Sequence, residues 1–62
     1  MRLSIVIPAL NEARTIRQVL ERVVATPDEK QIIVVDDGST DATPQILEEL
    51  HRPYGLVVLR HP

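Results

Sequence analysis

Residues 34–41 read VVDDGSTD. Two adjacent carboxylates, Asp36 and Asp37, close an apolar run and are followed at once by Gly38, Ser39 and Thr40. A carboxylate in a cleft can accept hydrogen bonds from nucleobase imino or amino groups and from ribose hydroxyls. Successive side chains at a strand end point to opposite sides, so the two acids need not share a task. One can enter a cleft while the other fixes the loop by accepting backbone N–H bonds. Gly38 permits a positive φ or the close approach of a ligand. The same Asp-Gly-Ser run is also a common turn leading into a helix cap, and on residue types alone both readings stand.

Other chemistry is poorly supported. No G-x-G-x-x-G follows the first apolar run and no G-x-x-x-x-G-K-[ST] occurs anywhere, so the dinucleotide and P-loop fingerprints are absent. Ser39 lacks a G-x-S-x-G setting and a nearby histidine base, which argues against a nucleophilic serine. The ligand and glycine positions of an EF-hand loop do not fit DDGSTD. There is no cysteine, and His51 and His61 are too few for a zinc site. His51 reads as a favourable contact at a helix C-terminus. Arg60 and His61, beyond the last apolar run, are placed to approach the cleft but read better as a solvated end. A net charge of −2 with both signs mixed along the chain sets nucleic-acid binding aside.

The elements that must position the acids can be read from periodicity. Leu3–Ile7 is a continuous apolar run ending at Pro8, as expected of a central parallel strand covered on both faces. Ile16, Val19, Leu20, Val23 and Val24 form a helical stripe, with Asn11 as its expected N-cap and Glu12 at the positive end of its dipole. Gln31–Val35 is the second strand. A shorter helix carries Ile46, Leu47 and Leu50, capped at Thr43 before Pro44 or earlier at Ser39 or Thr40. The segment RPYG reads as a turn, and Leu56–Leu59 as a third strand. Strands alternating with helices predict an α/β fold, a three-stranded parallel β-α-β-α-β unit in strand order 3-2-1. That is half of a Rossmann-like, doubly wound sheet. Its loops PALNE and DDGSTD border one cleft beyond the carboxyl ends of the strands.

At 62 residues the chain can bury about 60% of its unfolded surface, so its stability is expected to be marginal. Tyr54 is the single aromatic residue, and the core must be aliphatic. The opening MRLSIVIPAL is interrupted by Pro8 and lacks the long apolar region of a signal peptide. No run reaches the ~20 apolar residues that span a bilayer, and a cytoplasmic location is expected. An unpaired flank on the first strand predicts self-association through that edge.

Taken together, SIVIPALNE, the amphipathic helix, QIIVVDDGSTDAT and LVVLRHP resemble the N-terminal part of family 2 glycosyltransferases of GT-A fold. Within them, the dolichyl-phosphate mannosyltransferase and polyprenyl-phosphate sugar transferase branch looks most similar. The resemblance covers essentially the whole chain. It implies that residues 1–62 are an incomplete N-terminal part of such a domain, holding the nucleotide of a UDP- or GDP-sugar. Pro8, Ala9 and Leu10 would then contact the base and ribose, and Glu12 would lie at the rim. Asp37 would hydrogen-bond the base while Asp36 and Ser39 shape the loop. Leu10 stands where an aromatic often packs on the base. The family's Mg²⁺ or Mn²⁺ is held by an Asp-x-Asp motif, which this sequence lacks. The acceptor side and its general base are likewise absent, so the resemblance assigns no catalytic residue here and implies an inactive segment of a longer enzyme. Membrane or lipid-phosphate contact would concern that longer protein alone. Two other readings are an inert fragment and a receiver-like, Mg²⁺-binding signalling module. The second wants its acidic pair after the first strand, where PALNE stands instead.

Overall fold

The computed structural model describes residues 3–61. Its elements are β1 (Leu3–Pro8), α1 (Ile16–Ala25), β2 (Lys30–Asp37), α2 (Thr43–Tyr54) and β3 (Val57–His61). The strands form one parallel sheet in the order β1-β2-β3, the expected sequence of neighbours. Leu3 pairs with Lys30 and Pro8 with Val35, while Ile33 pairs with Val57 and Asp37 with His61.

One face of this sheet carries the core. Ile32 and Val34 of β2 are buried against Ile16 and Leu20 of α1 and Leu47 and Leu50 of α2, with Ile7 and Val58 packed at the margin. Fully burying one such aliphatic side chain stabilises a fold by about 1.5–3 kcal/mol. The alternate strand positions make the other face. There Val6, Val57 and Leu59 are 62%, 37% and 49% exposed. The expectation of a first strand covered on both sides is therefore corrected. In this strand order, two crossovers of the same hand place both helices on one face. β1 has its apolar residues on both sides of the pleat, but only one side is covered.

Several boundaries differ from the periodicity. α1 begins at Ile16 rather than near Asn11. Thr15 precedes it without a side-chain cap, and Asn11 adopts the left-handed conformation at φ 52°. Of the predicted stripe, Ile16 and Leu20 are buried, whereas Val19 and Val24 remain exposed. α2 starts with Thr43 and Pro44 as its first residues, after Ala42, and runs through Pro53. The expected turn at RPYG is thus a last helical turn. Proline is tolerated because the turn ends there: Gly55 enters the left-handed region at φ 63°, its N–H donates to Arg52 O, and Leu56 N–H donates to His51 O. His51 and Arg52 lie in that final turn, where positive charge suits the helix dipole. Arg17 and Glu49 join the two helices by an exposed ion pair at 2.9 Å, worth about 0–1 kcal/mol.

Candidate functional site

Both acids belong to the strand. β2 extends two residues further than its apolar run, and Asp36 and Asp37 are its last members. The extension exists because β3 also runs on past its apolar stretch, through Arg60 and His61. Register then sets each acid beside a base: Asp36 pairs with Arg60, and Asp37 with His61. The two bases are not merely a solvated end.

The pleat separates the acids completely. Asp36 points into the helix-covered side and is fully buried. Its Oδ1 accepts the Ser39 N–H at 2.9 Å, while Oδ2 has no hydrogen-bond partner and lies 3.8 Å from Arg60 Nε. Asp37 points to the uncovered side, with its side chain 68% exposed. Its Oδ1 lies 3.3 Å from His61 Nδ1. A shallow cavity of about 300 Å³ is lined by Asp36, Gly38, Ser39, Pro44, Arg60 and His61.

A network of polar contacts brings the loops after β1 and β2 together. The Ser39 hydroxyl donates to Ala9 O and accepts from Asn11 N–H, both at 2.9 Å. Asn11, in the left-handed conformation that asparagine tolerates, accepts the Thr40 N–H on its Oδ1 at 2.8 Å. Glu12 N–H donates to Thr43 Oγ1, and Ala13 N–H to Asp41 Oδ2. Asp41 Oδ1 also accepts the Thr43 N–H. The Thr43 hydroxyl and N–H, with the Ala13 N–H, hold the Asp41 carboxyl below its ordinary range. Backbone donors that would otherwise face solvent are thereby satisfied between loops about thirty residues apart.

These contacts sort the nominated residues. Ala9 is fully buried and Ser39 is occupied by the loop junction, so with Asp36 they build the platform. Pro8, Leu10, Glu12 and Asp37 are exposed at the same end of the sheet. Glu12 accepts the Thr15 hydroxyl proton at 3.0 Å. Sequence reasoning missed Asn11, Asp41 and Thr43 as loop ties, and Arg60 and His61 as partners of the acids. The spacing did hold one signal for the bases: two basic residues follow the third apolar run just as two acidic residues follow the second.

The described residues contain no group of three or more His, Asp or Glu side chains able to hold a metal ion. Asp36 is buried beside a guanidinium and Asp37 beside an imidazole, an arrangement that does not fit a divalent cation between them. No helix among the described residues is long and apolar enough to cross a membrane.

A parallel α/β unit whose strand-end loops join over an acidic pair defines a Rossmann-like half-domain. The chain belongs to glycosyl transferase family 2, whose profile matches residues 4–62. It is 40% identical, over 60 residues, to undecaprenyl-phosphate 4-deoxy-4-formamido-L-arabinose transferase of Edwardsiella ictaluri, covering 89% of this chain and 18% of that protein. The protein of the same name from Proteus mirabilis is 40% identical over 52 residues, covering 77% of this chain and 16% of its own. A dodecaprenyl-phosphate galacturonate synthase of Rhizobium johnstonii is 45% identical over 47 residues, covering 69% and 14%. The chain thus spans less than a fifth of the length of these relatives. No solved structure gives a significant match.

Proposed function

We propose that this chain is the donor-nucleotide-binding segment of a longer glycosyltransferase domain, one that moves a sugar from a UDP- or GDP-sugar to an acceptor. A single observation carries the reading. The acid pair is split, with Asp36 buried and bonded to the loop, while Asp37 is exposed at the strand ends beside the loop carrying Pro8 and Leu10. Asp37 accepts an imino or amino proton of the base, Leu10 and Pro8 supply apolar contact, and Glu12 stands at the rim. Asp36, Ser39 and Ala9 keep this platform in shape.

The names of the relatives support a polyprenyl phosphate as the acceptor of the longer protein, and this reading goes with a reaction at the cytoplasmic face of the membrane. A Mg²⁺ or Mn²⁺ ion neutralising the diphosphate would need ligands from outside these residues. The 62-residue chain alone should transfer no sugar. The reading is tested by NMR titration of the labelled chain with UDP and GDP, each with Mg²⁺. Saturable shifts centred on Leu10, Glu12 and Asp37 are expected. A dispersed spectrum unmoved by either nucleotide would contradict it.

A further inference from the structure

We infer that Arg60 is a positioning residue, acting from the helix-covered side of the sheet as the counter-charge that fixes the Asp36 carboxylate and, through it, the loop junction. Only its effect on affinity rests on the nucleotide-binding reading. Asp36 is fully buried, yet one of its oxygens alone is satisfied. Oδ1 accepts the Ser39 N–H, whereas Oδ2 is shut off from solvent and has no hydrogen-bond partner. A buried carboxylate left half-paired is costly. Parallel register sets Arg60 directly across the ladder, and its Nε lies 3.8 Å from Oδ2, the one ion pair of Asp36 among the described residues. That separation is an ion-pair distance and too long for a hydrogen bond. Room to shorten it is present. The shallow cavity beside the pair is lined by both residues, and the Arg60 side chain is 56% exposed. Rotation of the guanidinium into that space brings an N–H donor onto Oδ2. Glu48 of α2 lines the neighbouring groove, but it makes no ion pair with Arg60 among the described residues.

The consequence reaches the other end of a short chain of contacts. A carboxylate held by one hydrogen bond can pivot about it, and one held at both oxygens cannot. The orientation of Asp36 sets Ser39, whose hydroxyl bridges Ala9 O and Asn11 N–H. Those two residues flank Leu10 in the loop after β1. Arg60, Asp36 and Ser39 therefore link the β3 edge to the loop that carries Leu10. Arg60 does so without facing the candidate binding surface, since Asp36 and Asp37 lie on opposite sides of the pleat.

The experiment is a double-mutant cycle in the 62-residue chain: Arg60→Met, Asp36→Asn and the two combined, with Arg60→Lys as the conservative variant. Met keeps an unbranched stem without the charge. Asn at position 36 can still accept the Ser39 N–H and needs no counter-charge. Two readouts are taken, hydrogen exchange of the Ser39 amide without nucleotide and the Kd for UDP. One charge-assisted hydrogen bond is at stake, so Arg60→Met should speed Ser39 exchange about tenfold. UDP affinity should fall about threefold, in proportion to the chains that keep the junction intact. Arg60→Lys should retain most of both. In the Asp36→Asn background, Arg60→Met should change neither by more than about twofold. Equal effects of Arg60→Met in both backgrounds, as a packing role of the stem would give, overturn the inference. So does an unmoved Ser39 amide, or a faster one with unaltered UDP affinity. If Arg60→Met fails to fold, the combined variant decides: recovery of the wild-type spectrum supports the inference, and loss of fold in both overturns it. Failure of wild type to bind UDP overturns the nucleotide reading alone, and the Ser39 amide still decides whether Arg60 holds the junction.

Discussion

Ser39 works in three directions at once. Its N–H donates to Asp36, its hydroxyl donates to Ala9 O, and the same hydroxyl accepts from Asn11. Asp41 plays the matching role at the start of α2, where it accepts from Thr43 and Ala13. Its carboxyl is held below the ordinary range by those donors, the Thr43 hydroxyl foremost. A folded-state value below the unfolded one means stability that is complete above the unfolded value, about 3.9, and lost as pH falls through the folded value. Asp41→Asn should therefore lower Tm at neutral pH, and the gap to wild type should close as the pH falls below about 4. Thermal melts across that range check this. A gap that stays constant in acid would mean that the Asp41 charge contributes nothing.

At the scale of elements, apolar periodicity located all three strands and both helices, because Ile7, Leu20, Val34, Leu47 and Val58 recur where a buried face requires them. It failed where side chains bond to backbone. Asn11 has the chemistry of a cap and instead ties two loops, a contact that depends on Thr40, twenty-nine residues away. The strand ends were also hidden, since Asp36 and Asp37 lack apolar character and are held in the ladder by β3. The split of the acids was legible from strand alternation alone. Their basic partners were not, because register is a tertiary property. Gly55 illustrates an element fixed by one residue. A Cβ there would meet nothing within 4 Å, so its cost is conformational rather than steric. Gly55→Ala should lose about 1–2 kcal/mol by denaturant unfolding, and Gly55→Asn less. Equal stability for all three would show that α2 does not end in the left-handed turn.

The described residues form one sheet with one covered face. β1 pairs only with β2, and its outer backbone edge is unpartnered among the described residues. Val6 beside that edge is 62% exposed, with Leu59 and Val57 on the same face. An open strand edge backed by an apolar face is a template for pairing with another copy. We propose that the isolated chain associates with itself in this way. Sedimentation should show concentration-dependent association for wild type and a shift toward monomer for Val6→Lys, with Tm at low concentration little changed. A monomer with a sharp, concentration-independent melt would contradict the proposal.

On the proposed reading, Asp36 serves the fold and Asp37 serves a ligand. The most direct test measures UDP binding by calorimetry and Tm for Asp36→Ala and Asp37→Asn in parallel. Asp36→Ala leaves the Ser39 N–H unpaired in a part-buried setting and should cost about 1–3 kcal/mol of stability. Asp37→Asn should keep wild-type Tm and lose UDP affinity about tenfold or more. If Asp37→Asn binds UDP as wild type does, or if it is the variant that unfolds, the division of labour between the two acids is wrong.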